Sequence, residues 1–576
     1  MKYADLHVHP SGKNFPKYYN GIPEDFRKPS AHLWDIPKSN LVNLVKGLRA
    51  TSYSQADVGS LIRHGGKLIF ASIYPLEEGF VKNLGTKQDP PLLLLKSALN
   101  YSIERIRFLR SGKVNYFQEL QAEWEFLQRK SGQHSSGTIA KNPSASVPMM
   151  SATEKVSGLY YILSQQPDAI EQFREPWGPR ALIGPDKLDQ ALDTDNCTVF
   201  VLTIEGMHAL SMVKGDNPVP IEQLRDRIRV IKEWPVFFVT FAHHFRNDLC
   251  AHAKSFFRVP LPWNPDQQHH LNFIPYREND RPFRNTSPEN AEKYSLDERK
   301  RGFTEKGFEA LCHLLSVRCD NDKVSDDPTL GRRILIDTKH MSASARLEMY
   351  EAIIRPHWSN PEVQPAEAGR APKGCIPVIA SHSAYSGVAT LLDMIEGYFE
   401  ENDFPKAGNP FNYWNINLSD EDIEVIVRSG GLIGLNLDQR VLGVMFKMQL
   451  QHLVLPGLFK HPNERNNNID LILANILGMA QAVRQRTPGL HRFQPDTYSF
   501  WSCLCLGTDF DGGIDPVDAY ASSARIQQLR TDLHHAMLEA FRDGRLNDFV
   551  EDPAHLDILL DGFFYDNALQ FLKQHF

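Results

Sequence analysis

The chain has 576 residues, 42% hydrophobic, 10% aromatic and 23% charged, which leaves ample apolar side chains for a large core and excludes disorder as the dominant state. With 63 Lys+Arg against 70 Asp+Glu the formal charge is −7, so the basic surplus that a phosphate backbone requires is missing and nucleic acid is not an expected partner. Seven scattered cysteines make no disulfide framework, whereas 22 histidines direct any metal site towards imidazole and carboxylate.

No apolar run is long enough to cross a bilayer, and the first residues enter a core-like strand without a signal-peptide stretch, so a cytoplasmic setting with no membrane partner is expected. Eight short β-rich runs occur in order: Tyr3–Leu6, Leu68–Tyr74, Thr198–Ile204, Val236–Phe241, Ile334–Asp337, Val378–Ser381, Leu432–Leu437 and Leu504–Gly507. Most are continuously apolar, as strands buried on both faces should be. Helical periodicity lies between them at Phe303–Val317, Ser342–Ile354, Asp420–Arg428 and Leu471–Arg484, with Asp420 and the acidic residues behind it read as a helix cap and first turn. Strands alternating with helices eight times predict an α/β fold, a (β/α)₈ TIM barrel. One barrel domain over 1–576 is expected, with long insertions at about 83–146, 260–301 and 387–417 placed in βα loops over the catalytic face. Cys503 and Cys505, two apart in an apolar run, read as small buried residues rather than a redox or zinc pair.

The informative residues stand just past the strands. His7 and His9 come at the end of the first, Glu205 after the third, His243 and His244 after the fourth, His340 after the fifth, His382 after the sixth and Asp509 after the eighth. Any one of these is more often a loop residue with an ordinary hydrogen bond than a ligand. Together they gather at the C-terminal ends of parallel strands, where barrel enzymes carry their chemistry. In His7-Val8-His9 the i and i+2 side chains of an extended chain point the same way and can grip one ion. Six donors, His7, His9, Glu205, His340, His382 and Asp509, exceed what one catalytic zinc uses, so two divalent ions sharing a carboxylate are expected, most simply Zn²⁺, with Mn²⁺, Co²⁺ or Fe²⁺ also compatible.

An ordered set of segments resembles the membrane (renal) dipeptidase family, a metallopeptidase branch of the amidohydrolase superfamily. The set comprises Ile204-Glu205-Gly206, Thr240-Phe241-Ala242-His243, Gly302–Gly307, Leu335–Ser342, Pro377–Ser383, Gly430–Gly434, Gly507–Gly512 and the closing Asn567-Ala568-Leu569. The resemblance spans nearly the whole chain outside the insertions. It implies a two-zinc barrel that hydrolyses dipeptides, with one ion on His7, His9, Glu205 and Asp509 and the other on Glu205, His340 and His382. Glu205 is then the bridge and His243 the residue that contacts substrate and the tetrahedral intermediate. Asp509, a ligand beside the attacking water, is the candidate acid/base. Family members are often dimers, which makes a homodimer the expectation by analogy.

Two departures stand out. The family's first-strand motif is usually His-x-Asp, whereas this chain has His-x-His, which keeps a donor and removes a negative charge. The family also places an arginine after the sixth-strand histidine to clamp the dipeptide carboxylate, and Asn415–Asp420 contains none. Arg440, after the seventh strand, is the substitute candidate. The expected activity is hydrolysis of a dipeptide or related small amide by a metal-bridged hydroxide. The alternatives are the same barrel acting on another amide, lactone or phosphoester, and a metal-binding protein without turnover. Asp337 and Asp511 are candidates for orienting ligand imidazoles.

Overall fold

Continuous runs of β-branched and aromatic residues, too short and too apolar for surface helices, become the strands of one parallel sheet. The computed structural model describes residues 1–12, 15, 54–77, 108–109, 111, 114–131, 160–164, 182–195, 197–214, 217–245, 247–253, 301–320, 323–397, 411–443, 464–514 and 516–576. In it β1 (Tyr3–Val8), β2 (Gly66–Ile73), β3 (Cys197–Glu205), β4 (Val236–Thr240), β5 (Leu335–Asp337), β6 (Ile379–Ser383), β7 (Leu432–Leu435) and β8 (Leu504–Leu506) lie side by side in that order. Every neighbouring pair is parallel. The edge closes through a parallel bridge between Val8 and Phe510, with Asp509 N–H donating to the His7 carbonyl at 3.0 Å and His9 N–H to the Phe510 carbonyl at 3.0 Å. The eight expected strands are all present, and the fold is the expected (β/α)₈ barrel.

β3 is the longest strand among the described residues, and all nine of its residues are buried. Its first half also pairs, antiparallel, with an additional strand Tyr160–Ser164, which in turn pairs with Leu182–Ile183; the sequence pattern predicts neither. Glycines at 434 and 507 let β6, β7 and β8 approach closely, since a Cβ at either would lie 1.9 or 2.0 Å from the Ser381 carbonyl oxygen.

The helices that matter for the site are α1 (Tyr116–Ser131), α2 (Ile221–Glu233), α3 (Glu305–Leu315), α4 (Ala343–Met349), α5 (Asp420–Ser429), α6 (Gln439–Leu442), α7 (Glu464–Arg486) and α8 (Ile526–Arg542). The cap of α5 is Ser419 rather than Asp420: Ser419 Oγ accepts from Asp422 N while Asp422 returns the bond to Ser419 N, a reciprocal box that leaves Asp420 inside the first turn. The far end of the sheet packs Leu6, Phe70, Phe238 and Leu335 with Ala568, Phe571 and Leu572 of the C-terminal helix. Asn567 fixes that helix by donating to the Trp501 and Leu504 carbonyls, each at 2.7 Å. Cys503 and Cys505 are buried free thiols, as expected, Cys503 lying just ahead of β8.

Of the insertions, the described residues include α1 from the first and 387–397 with 411–417 from the third; the second lies outside the described residues except for Arg301. No helix among the described residues is long and apolar enough to cross a membrane.

Candidate metal centre

The strand ends bring six side chains from distant stretches of chain into one buried cluster. His7 lies in β1 and His9 one residue beyond it, so their rings face the same way, Nε2 to Nε2 at 3.1 Å. Glu205 is the last residue of β3, and His382 lies within β6. His340 and Asp509 stand three residues past β5 and β8, each in the left-handed backbone region (φ 64° and 60°), a conformation that costs energy for a non-glycine residue and turns both side chains back over the barrel mouth.

Among the described residues four overlapping sets of donor atoms each lie within 4.8 Å of one another; His7/His9/Asp509 and Glu205/His340/His382 together contain the six, and His243/His244/His340 and His7/Asp337/His382 adjoin them. Glu205 lies between the two sets named first. Its Oε2 is 3.2 Å from His9 Nε2, and its Oε1 is 3.5 Å from His7, 3.3 Å from His340 and 3.8 Å from His382 Nε2. Asp509 Oδ1 is 3.6 Å from His9 and 4.0 Å from His7, while its Oδ2 is 3.9 Å from His382. His340 and His382 face each other Nε2 to Nε2 at 3.2 Å. Two nitrogens bound at 2.0–2.1 Å to one tetrahedral ion would stand roughly 3.3 Å apart, so both imidazole pairs have the spacing of ligands on a common cation. Nitrogen and oxygen donors without thiolate suit a divalent ion such as zinc, and the residues fit such a centre.

The electrostatics suit the second group of donors. Burial opposes ionisation of Glu205, yet the charges of His243 and His7 and hydrogen bonds from His340 and His7 hold its carboxyl well below the ordinary range. Burial, with His243 and Lys339 nearby, drives His340 down to about 3, and burial with His7 and Lys339 drives His382 well below its usual value, so both are neutral donors. Burial also opposes charge on His9, but hydrogen bonds to Asp509 and Glu205 raise it to about 10.

A buried polar frame orients these groups. Asp337, the last residue of β5, accepts from Ser381 N (2.9 Å), Ser381 Oγ (2.5 Å) and Thr240 Oγ1 (2.7 Å), and Ser381 Oγ lies 2.7 Å from His382 Nδ1 and 3.4 Å from His7 Nδ1. Asp337 therefore acts on the imidazoles through Ser381. Asp5 accepts from Thr508 N at 2.9 Å and Thr508 Oγ1 at 2.6 Å and so fixes the turn that carries Asp509. Asp511, by contrast, is turned towards 54–56, accepting from Ser54 Oγ, Gln55 N and Ala56 N, and anchors that loop instead of a ligand imidazole.

His243 is buried beside the cluster, its Nε2 3.7 Å from Glu205 Oε1 and its Nδ1 2.5 Å from Glu77 Oε2. Glu77 also accepts from Phe245 N at 3.0 Å. Burial opposes charge on His243, but Glu77 and Glu205 together raise its pKa. His244 stacks edge-on against both His243 and His340. Sequence reasoning does not single out Glu77, although it comes after β2 as the other acidic groups come after their strands; nor does it single out Ser381, Asp5 or Lys339.

Arg440 sits in α6, where its Nε donates to both oxygens of Asp438 and its guanidinium pairs with the same carboxylate. The arginine-free stretch after β6 is held instead by Arg346 of α4, fully buried, which donates to the Asn415 and Asn417 carbonyls and pairs with Asp422 Oδ2 at 2.8 Å.

No family model and no curated protein matches the chain. Among solved structures it is similar to dipeptidase AC, a metallopeptidase (TM-score 0.38, 11% identity, covering 100% of this chain and 98% of that one). It is similar also to a metallopeptidase from Rhodobacter sphaeroides liganded with a phosphinate mimic of the dipeptide L-Ala-D-Ala (TM-score 0.37, 11% identity, 100% and 99% covered). A third is the probable dipeptidase PvdM from Pseudomonas aeruginosa (TM-score 0.41, 14% identity, 100% and 95% covered).

Proposed function

We propose that this chain is a metallohydrolase that binds two divalent ions, zinc by its donor set, and cleaves the amide bond of a dipeptide or related small amide. The observation that carries the reading is Glu205, buried between two donor groups with one carboxylate oxygen towards His9 and the other towards His340. His7, His9, Glu205 and Asp509 would hold one ion, and Glu205, His340 and His382 the other. When bound, such a pair polarises the substrate carbonyl and acidifies water.

The remaining steps belong to the chain. Asp509, within 4 Å of imidazoles from both groups, accepts the proton of the attacking water and returns it to the leaving amine. His243, held at Nδ1 by Glu77, turns Nε2 towards the cluster and donates to the developing oxyanion. The buried setting keeps these charges at low dielectric, where they act most strongly.

A second reading, the same barrel on another amide, a lactone or a phosphoester, is favoured by the lack of an arginine in Asn415–Asp420 and by the engagement of Arg440 with Asp438. Metal content per chain, measured together with turnover on L,L- and L,D-dipeptides, N-acyl amino acids and lactones, separates the two. Two ions and dipeptide turnover support the first reading. Turnover confined to lactones or phosphoesters moves the assignment to the second, and fewer than two ions refutes the shared centre.

A further inference from the structure

Cys312 stands in the last turn of α3, and Cys319 in the first strand of a hairpin, Val317–Asp320, paired antiparallel with Lys323–Asp326. The helix ends at Ser316, whose left-handed backbone (φ 53°) turns the chain sharply into that strand. Val317 and Cys319 share one strand face, Val317 buried, while Arg318 and Asp320 on the other face are exposed. The Cys312 and Cys319 sulfurs meet at 3.5 Å, one S–H donating to the other. The turn between them is held on several sides. Lys232 Nζ donates to Ser316 Oγ at 2.9 Å and to the Leu330 carbonyl at 2.7 Å, Ser316 Oγ donates to the Gly331 carbonyl at 2.9 Å, and Asp327 N to the Ser316 carbonyl at 2.8 Å.

Both thiols are partly exposed, whereas the other five cysteines are buried. The hydrogen bond from Cys312 holds the Cys319 thiol below its ordinary range, and the same bond, with burial, pushes Cys312 up. Burial pushes Cys375 up to about 11 and Cys503 up to about 12, so these keep their protons, and only a thiolate attacks an oxidant readily. The pair is also remote from the metal centre: Ile334 N donates to the Leu314 carbonyl at 2.8 Å, which sets this end of α3 beside the start of β5, opposite the strand ends that carry the donors.

We propose that Cys312 and Cys319 form a reversible dithiol–disulfide site, oxidised by a hydroperoxide, that staples the C-terminal end of α3 to the hairpin behind it. Cys319, as thiolate, attacks one peroxide oxygen; an S–O bond forms, the O–O bond breaks, and the departing hydroxide takes up the proton that the thiol gave up. The Cys312 sulfur then attacks the Cys319 sulfur; the S–S bond forms, the S–O bond breaks, and the hydroxyl leaves as water with the Cys312 proton. Two thiols lose two electrons to one peroxide, which becomes two waters. The sulfurs need close by only about 1.5 Å to bond. The cross-link then removes freedom from the unfolded chain and so stabilises the folded one.

The experiment adds hydrogen peroxide to the full-length protein, blocks remaining thiols with N-ethylmaleimide and maps tryptic peptides by mass without reductant. Arg318 lies between the two cysteines, so trypsin separates them and the bond is read as two joined peptides. Wild type yields that joined pair, and dithiothreitol restores both thiols. Cys312→Ser stops at a sulfenic acid on Cys319, trapped by dimedone, whereas Cys319→Ser is oxidised at Cys312 roughly tenfold more slowly. Oxidation raises the thermal midpoint of wild type by a few degrees and of neither variant. Peroxide-treated wild type in which both thiols stay free, or reach sulfinic acid unlinked, overturns the site. Faster oxidation of Cys319→Ser than of Cys312→Ser overturns Cys319 as the attacking thiol, and a joined pair with no rise in midpoint overturns the staple.

Discussion

Glu77 Oε2 and His243 Nδ1 stand 2.5 Å apart, both side chains buried, with the other end of the imidazole turned to Glu205. A carboxylate in this position accepts from Nδ1–H, fixes ring orientation and favours the imidazolium, which carries its second proton on the nitrogen that faces the cluster. Glu77→Gln keeps an acceptor for Nδ1 and removes the charge, so kcat is expected to fall roughly tenfold to a hundredfold, within the usual worth of a positioned proton donor. Metal content should not change, because Glu77 is not among the grouped ligand atoms. Turnover and metal analysis on one preparation test this, and loss of metal in the variant would give Glu77 a role in the centre itself.

Glu205 and Asp509 should separate in the same two measurements. Glu205 lies between both donor groups, and Glu205→Gln removes the shared charge and half its acceptor capacity, so both ions are expected to be lost. Asp509 is one donor among several, with its two oxygens towards imidazoles of both groups. Asp509→Asn should retain much of the metal while turnover drops about a hundredfold or more. Unaltered turnover would remove Asp509 from proton transfer.

The strands and the cluster are legible in the sequence because each depends on a strong local signal. A run such as Val199–Ile204, buried on both faces, has almost no polar residue to confuse its period, and the donors stand immediately after such runs. The features that escape sequence reasoning depend on tertiary geometry. Tyr160–Ser164 is a strand only because it lies antiparallel against the first half of β3. Glu77 is four residues past β2, behind Pro75, and its meaning comes from a histidine 166 positions away. Asp511 shares a turn with Asp509 and looks equally suited to orient an imidazole, yet the chain reverses between them and points it at Gln55. The cap of α5 is within reach of sequence reasoning, since Ser419-x-x-Asp422 is itself a capping pattern.

Gly512 offers a test of how tightly Asp509 is placed. A Cβ at this position would lie 2.0 Å from Asp509 Oδ1 and 3.0 Å from His9 Cδ2, so even alanine must displace a ligand of the first group. Gly512 itself is exposed, away from the hydrophobic core, so the strain falls on the turn and its ligand and global stability should change by no more than about 1–2 kcal/mol. Gly512→Ala is therefore expected to lose at least tenfold in turnover or in affinity for one of the two ions, while the protein still unfolds cooperatively. Wild-type turnover and two full-affinity ions would show that the turn has slack.

Glu123 links α1, part of the first insertion, to the barrel mouth. Its oxygens accept from Ser11 Oγ at 2.7 Å and from Tyr74 N at 2.9 Å. Burial raises its pKa to about 7 against the partial opposition of these two bonds. A raised carboxyl binds its proton more tightly in the folded chain than in the unfolded one, so its contribution to stability is complete below about 4.5 and is lost as pH rises through about 7. The span corresponds to roughly 3 kcal/mol. Glu123→Gln stays neutral throughout and should gain about that much relative to wild type between pH 4.5 and pH 8. An amide nitrogen cannot accept from the Tyr74 N–H, which costs the variant a constant amount at every pH and leaves the difference between the two ends as the readout. Urea denaturation at both pH values measures it. A gap between variant and wild type that is the same at both ends would mean that this carboxyl titrates near its ordinary value and that α1 is not clamped over Ser11 as described.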